Sequence, residues 1–347
     1  MHVEYIIVGY SLAGIGFCEQ LKDNGKSFVV FDNQSQQSSL VAGGLYNPVI
    51  LKRFTLVWKA EEQLEIALAM YAKIEKELNI KLDHKIPVLR RFASTEEQNN
   101  WFIASDKPIL NQYLSPQIIK NENLQIDAPF GLGKVLNTGR INTQVLVNSC
   151  REKLFDEHKL IENDFDYSNL KAEDSFQYQN IKSKYIVFAE GYGVKQNPFF
   201  NQLPLKQSKG ELLTILAPEL KLDYVLKSDI FILPLGNDLY SVGSTYEWDD
   251  DTNTITQKAR EELEFKLKKV LKCEFKVVNQ VAGVRPTVID RRPLVGKHPT
   301  INNMFVLNGL GTRGVMIGPY VAKELFNFIE NNKPLDKEIN IDRFHEN

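Results

Sequence analysis

Apolar and polar positions alternate along this chain in two different ways. Residues 1–32 read as strand, turn, helix and strand. An apolar run, EYIIVG, leads into a helix-spaced stretch, SLAGIGFCEQLKDNG, that Gly25 closes, and a second β-branched and aromatic run, SFVVFD, follows. A unit this tight implies a parallel strand pair with a right-handed crossover. SSLVAGGLYNPVI is too rich in small residues for regular structure. FTLVWKAEEQLEIALAMYAKIEKELNI predicts one long helix, with Leu64, Ile66, Ala67, Met70, Tyr71, Ile74 and Leu78 at helical spacing. KIPVLRRFAS predicts a strand. Residues 100–130 are polar and carry no clear period.

GKVLNTGRINTQVLVNSCREKLF predicts a strand, a turn at Gly139 and a helix, and KYIVFAEG a buried strand that runs into a glycine turn. Between 205 and 280 the pattern changes. GELLTIL, DIFILPL and LYSVGST alternate as antiparallel strands do, and TQKAREELEFKLKKVL has the period of a helix. The chain closes with strand, glycine-rich turn and helix in NMFVLNGLGTRGVMIGPYVAKELFNFIENN. The expected fold is therefore α/β: a discontinuous Rossmann-type nucleotide domain over 1–80, 135–200 and 281–347, and an α+β domain with a mostly antiparallel sheet over 81–134 and 201–280.

The first turn carries the chemistry of a dinucleotide site with one departure. Gly9 makes the tight turn and Gly14 allows close helix–strand packing, while Ser11 stands where a second glycine lets backbone approach a pyrophosphate. With Leu12 and Ala13 these residues open a helix whose free N–H groups and positive end suit a diphosphate. Asp32, followed by Asn33, ends the second strand where an acceptor for ribose hydroxyls belongs. Serine is small and its hydroxyl can donate to phosphate, so the substitution is read as tolerated.

Composition narrows the partners. With 42 basic and 44 acidic residues the formal net charge is -2, which gives no reason to expect nucleic acid or an anionic membrane surface. Three cysteines and five histidines show no C-x-x-C and no paired histidines, so neither zinc nor a disulfide framework is expected. No apolar run is long enough for a membrane span and no secretory leader is visible, so a cytoplasmic location is expected.

Seven stretches in order (VAGGLYNPV, GKVLNTGRINTQVLV, YIVFAEG, PLKQSKGELLTI, FILPLGNDLYSVGSTYE, VAGVRPTVIDRRPLVG and NGLGTRGVMIGPYVAKEL) resemble the D-amino-acid-oxidase-like FAD-dependent oxidoreductases, the group of glycine oxidase, sarcosine oxidase and D-amino acid dehydrogenase. The resemblance implies FAD as cofactor and an antiparallel sheet covering the flavin ring. It implies that Ser39, Gly43, Gly44 and Leu45 run from pyrophosphate toward the isoalloxazine, and that Ala189, Glu190 and Gly191 pass near the ADP part, together with the Phe165–Asp166 stretch. Gly309, Gly311, Thr312, Arg313 and Gly314 bring backbone to the ring, and the following helix offers its positive end to the reduced flavin. No cysteine lies near AGVRPTVIDRRP, where sarcosine oxidases attach flavin, so the FAD is expected to be non-covalent.

Arg285, placed between a strand and a proline in apolar context, is costly to bury unpaired and suited to grip a carboxylate with two parallel hydrogen bonds; the alternative is a structural salt bridge, for instance to Asp290. Arg313 is a second carboxylate contact, a charge near the flavin, or a solvated loop residue. Phe231 stands where amino acid oxidases of the group often carry a carboxylate-binding tyrosine, and Tyr246 or Tyr46 are the candidates to supply a hydroxyl instead. The implied reaction is oxidation of the C–N bond of a small amine, amino acid or imino acid by hydride transfer to flavin N5. Two alternatives stay open: a tRNA-uridine side-chain modifying enzyme, whose loop GGLYNP resembles, and a flavoprotein without amine chemistry.

Overall fold

Val8, Phe31, Phe188 and Asn308 end four parallel strands side by side, and this row of carboxyl ends positions everything that follows. The computed structural model describes residues 1–173 and 175–344. His2–Val8 lies between Phe28–Phe31 and Ile181–Phe188, parallel to both. Met304–Asn308 runs parallel to Ile181–Phe188, and Leu160–Ile161 continues the sheet beyond Phe28–Phe31. Leu294–Lys297 and the pair Leu170–Ala172 and Phe176–Tyr178 add antiparallel strands that bring the sheet to eight. The inner strands are apolar on both faces because both faces are covered. Tyr5, Ile7 and Val30 pack under the helices, whereas Ile6, Val8, Val29 and Phe31 pack against Phe176, Phe200 and Leu203 on the other side.

The second sheet has eight strands in the order Lys276–Val288, Leu205–Leu216, Leu239–Gly243, Phe231–Gly236, Val225–Lys227, Val88–Arg91, Leu132–Val135 and Leu114–Ile119. Its neighbours are antiparallel except Val225–Lys227 beside Val88–Arg91. The helix Gln257–Lys268 buries Leu263 and Leu267 against Leu213, Ile215 and Val242. The two longest strands join the layers. Leu205 and Val288, at one end of their ladder, belong to the core of the first sheet; Ile215 and Val277, at the other end, belong to that of the second.

Four sequence expectations change in detail. The long helix is Ala60–Leu78, not the whole stretch from Phe54. Thr55–Leu56 instead pairs with Val49–Ile50, and the Val57 N–H bonds the Pro48 carbonyl at 2.8 Å, as suits β-branched residues. Gly139 lies inside the strand Gly139–Ile141, and the turn precedes it, with Asn137 at φ 56. The polar region holds a helix, Thr95–Ser105, and the strand Leu114–Ile119. Its start is a Ser-x-x-Glu signature: Ser94 Oγ accepts from the Glu97 N–H at 3.2 Å, and Glu97 accepts from the Ala93 N–H at 2.7 Å. Arg285 and Pro286 sit within the strand Lys276–Val288, not at its end.

The last helix, Gly314–Asn331, contains Pro319. In an α-helix the Val315 carbonyl would receive the N–H of residue 319, which proline lacks. The buried hydroxyl of Tyr71, from the neighbouring helix, donates to that carbonyl at 2.8 Å instead. Tyr71→Phe leaves a buried acceptor unsatisfied and should lower stability by about 1–3 kcal/mol, read as a shift in urea midpoint with unchanged m-value. A midpoint equal to wild type would show that the carbonyl is satisfied some other way.

Candidate functional site

The first turn is shaped by a lack of side chains. At Gly9, φ is +94, and a Cβ there would lie 2.5 Å from the Ala189 carbonyl oxygen, while one at Gly14 would run into the Gly9 carbonyl. Backbone therefore meets backbone where the strands His2–Val8 and Ile181–Phe188 end. Ser11 is the N-cap of the helix Leu12–Asp23, yet its side chain makes no capping bond, so the hydroxyl is available to a ligand.

Two cavities open at this turn. One, of about 400 Å³, is lined by Gly9, Ser11, Asp32, Asn33, Phe165, Ala189 and Glu190. The other, of about 280 Å³, is lined by Leu12, Ala13, Gly43, Gly44, Leu45, Gly191, Phe231, Tyr246, Arg285, Gly311, Thr312, Arg313 and Gly314. Ser11, Gln36 and Ser39 line both, so they form one cleft at the carboxyl ends of the parallel strands. The 9–14 and 309–314 turns thus face the same space. Of the residues singled out in the sequence, Gly14 and Gly309 line neither cavity; Gly309 packs on Val288 and Leu294. Asp166 also lies outside, accepting from the Ser168 N–H at 3.0 Å in its own short turn.

In the larger cavity, Asp32 receives the Tyr10 N–H at 3.2 Å and a hydrogen bond from Arg151, which also reaches Glu162 at 2.7 Å. Arg151 went unnoticed in the sequence because it sits mid-helix, where an arginine reads as surface. Glu190 is buried. It accepts from Tyr167 and, at 2.8 Å, from Asn197 Nδ2.

In the smaller cavity, Arg285 stands opposite Ser208 in the ladder, and its Nη1 donates to the Ser208 carbonyl at 3.3 Å. Its guanidinium occupies the space above Gly210 that any side chain there would fill. The Tyr246 ring stacks on it at 4.8 Å. Asp290 is bound to Arg343 at 2.8 Å, and among the described residues no carboxylate pairs with Arg285. Burial lowers the Arg285 pKa, as it does for Arg313, whose Nη1 donates to the Asn47 carbonyl at 2.9 Å. Arg313 is thereby a tethered residue of the cavity rather than a solvated one.

Phe231 faces the cavity; its Cζ lies 3.1 Å from where a Gly43 side chain would begin. Tyr46 is spent elsewhere: its hydroxyl donates to Asp83 at 2.7 Å and accepts from Lys85 at 2.9 Å. Tyr246 is 57% exposed at the mouth. Lys227 and Asp229 also line this cavity and were not anticipated. The signal was present in VLKSD, where strand alternation puts Lys227 on the same face as Val225.

Burial pushes the Glu190 carboxyl up to about 7, against hydrogen bonds from Asn197 and Tyr167 that favour the carboxylate. The folded value lies above the ordinary 4.5, so the native state keeps a proton that the unfolded chain has released. Stability contributed by this group therefore falls as pH rises from about 4.5 to 7. Glu190→Gln cannot ionise. In ligand-free protein its Tm relative to wild type should rise between pH 5 and pH 8; a constant difference would show that Glu190 does not titrate in that window.

Comparison with known proteins agrees with this geometry. A family model described as FAD dependent oxidoreductase, DAO, matches residues 4–327. Glycine oxidase of Bacillus subtilis (strain 168) is 28% identical over 173 residues, which cover 48% of this chain; the chain spans about half, 45%, of that relative's length. Among solved structures, glycine oxidase from Geobacillus kaustophilus superposes with a TM-score of 0.79 at 14% identity, covering 96% of each chain. L-proline dehydrogenase from P. horikoshii gives 0.80 at 14% identity, over 99% of this chain and 98% of that one. Iminodiacetate oxidase from Chelativorans sp. BNC1 gives 0.76 at 16% identity, over 97% and 98%. With its parallel sheet, its separate antiparallel sheet and a family match over nearly its whole length, the chain belongs to the DAO family of FAD-dependent oxidoreductases.

Proposed function

We propose that the protein oxidises the C–N bond of a small carboxylate-bearing amine, using FAD held in the cleft described above. The observation that carries this reading is Arg285: a half-buried guanidinium, without a carboxylate partner among the described residues, opening on the cavity that both glycine-rich turns share. The segments 1–80, 135–200 and 281–347 form the FAD-binding part and 81–134 with 201–280 the substrate part.

The residues of the larger cavity would hold the ADP half of the cofactor. Gly9 and Ser11 bring backbone and a free hydroxyl to the diphosphate, the helix N-terminus at Leu12 and Ala13 adds its positive end, and Asp32 accepts from the ribose. Gly311, Thr312, Arg313 and Gly314 would offer backbone to the isoalloxazine, and the N-terminus of the last helix beside them would stabilise negative charge on the reduced ring. Cys18, Cys150 and Cys273 are buried and line neither cavity, which supports non-covalent binding. Bound FAD supplies the two-electron acceptor that takes hydride from the carbon bearing nitrogen.

The chain's own contribution is placement. Arg285 fixes the carboxylate, Tyr246 holds the guanidinium in plane, and Phe231 gives the substrate an apolar wall. Fixing one end of the molecule orients the C–H bond and lowers the barrier by confining it. The substrate ammonium gives its proton to water before it binds, so the amine arrives neutral and no side-chain base is required; loss of hydride then leaves an iminium that water hydrolyses. Relatives named for oxidation of glycine, iminodiacetate and L-proline support the amine class.

Purified protein should be yellow, release all its flavin on acid precipitation, and bleach anaerobically with one or more of glycine, sarcosine, proline or D-amino acids. Arg285→Ala should keep its FAD but bind that substrate at least about 100-fold more weakly, because two charge-assisted bonds contribute about 3 kcal/mol or more. An unchanged Kd in the variant, or flavin that no amine bleaches, would overturn the reading.

A further inference from the structure

Three cations converge on the smaller cavity, and the amine reading uses only one of them fully. Arg285 grips a carboxylate. Arg313 is tethered to the Asn47 carbonyl. Lys227 is left over. It ends the strand Val225–Lys227, opposite Phe231 on one side and Arg90 on the other. Its Nζ lies 6.0 Å from the Phe231 ring, which lines the same cavity. Among the described residues it has neither a hydrogen-bonded partner nor a carboxylate within salt-bridge distance. Arg90, which would compete for an anion, is already paired with Glu97 at 2.6 Å and donates to the Ser228 carbonyl at 2.8 Å.

Lys227 is half-buried in the wall of the cavity, and an ammonium drawn partly out of water with no carboxylate in reach is costly unless an anion compensates it. Resting on the amine reading above, we propose that the cavity takes an amine carrying two separated anionic groups, the first held by Arg285 and the second by Lys227. The substrate class is then an amino acid whose nitrogen substituent or side chain ends in a second carboxylate or an equivalent anion. Phe231 fits this division of labour. It offers no hydroxyl to the first carboxylate, and it forms the apolar wall past which the second anion reaches Lys227.

The charges around Lys227 give the proposal a pH signature. Burial, chiefly, and then Arg90, Arg313 and Lys266 bring its pKa down to about 8, against Asp229, which acts to raise it. The neighbouring strand Phe231–Gly236 contributes only the Phe231 ring. In the empty cavity Lys227 therefore loses its charge as pH rises past about 8, and a second anion must bind together with a proton above that point.

The test uses the FAD-loaded protein and two non-reacting analogues in which sulfur replaces the amine: thiodiacetate, with two carboxylates, and (methylthio)acetate, with one. Neither carries a titrating nitrogen, and both are followed by perturbation of the flavin absorbance. At pH 7 thiodiacetate should bind at least about tenfold more tightly, the effect of one charge-assisted contact. Lys227→Met should reduce that preference to about twofold or less while leaving FAD content and (methylthio)acetate affinity unchanged. In wild type the preference should decay above about pH 8, and Lys227→Arg should preserve it to higher pH. Equal affinities in wild type, or an equal loss of both analogues in Lys227→Met, would overturn this inference and leave the amine reading standing. If neither analogue perturbs the flavin and no amine bleaches it, both fall together.

Discussion

A guanidinium that has given up water without gaining a carboxylate is stable only where something else holds it, and at Arg285 that support is a ladder of backbone hydrogen bonds. Leu205–Leu216 and Lys276–Val288 pair from Leu205 opposite Val288 to Leu216 opposite Lys276, with one end in each hydrophobic core. The backbone that carries the arginine is thereby anchored in both layers. The arginine has five N–H donors, and the hydrogen bond to Ser208 uses one. The remaining capacity is therefore fixed in direction before any ligand arrives, and a ligand that meets it does not have to order it.

The same reasoning applies to the cofactor side. Two glycine-rich turns, distant in sequence, face one cleft because the helices that follow them pack tightly together. A Cβ at Gly16 would lie 3.2 Å from the Ala322 Cβ and 3.4 Å from the Gly318 carbonyl oxygen, so the first helix lies directly on the last. The Tyr71 bond to the Val315 carbonyl then holds the last helix intact over its proline, beside the turn that enters the cavity. Closeness of the two N-termini follows from this packing, and a site that concentrates two helix dipoles suits an anionic, electron-accepting ligand.

Much of this was legible in the sequence. The parallel strands announced themselves as unbroken apolar runs, the antiparallel ones as alternation, and the turns by their glycines. Arg285 stood out because an arginine between an apolar strand and a proline demands an explanation, although the strand runs on through both residues. What escaped notice depends on strand register, which no local pattern encodes. Gly210 looks like a weak point in KGELL until the ladder sets it beneath the Arg285 guanidinium. Lys227 reads as the polar end of a short strand until its neighbour, Phe231, is seen to line the cavity. The helix Thr95–Ser105 was missed for a different reason. Only Trp101, Ala104 and Ser105 are buried along it, so periodicity was faint and its start signal was the stronger clue.

The identity of residue 231 and the position of Lys227 are two sides of one arrangement. The para carbon of Phe231, where a tyrosine would carry its hydroxyl, is the ring atom nearest the side-chain direction of Gly43. A hydroxyl there would be aimed at Gly43. The polar contact that the ring lacks is supplied one strand away, by an ammonium in register with it. A hydroxyl selects by geometry over hydrogen-bond distance, whereas a cation in a low-dielectric cavity acts over several ångströms. Under the proposed assignment, replacing the first by the second would make the cavity discriminate by the number of negative charges its ligand carries more than by the outline of its side chain.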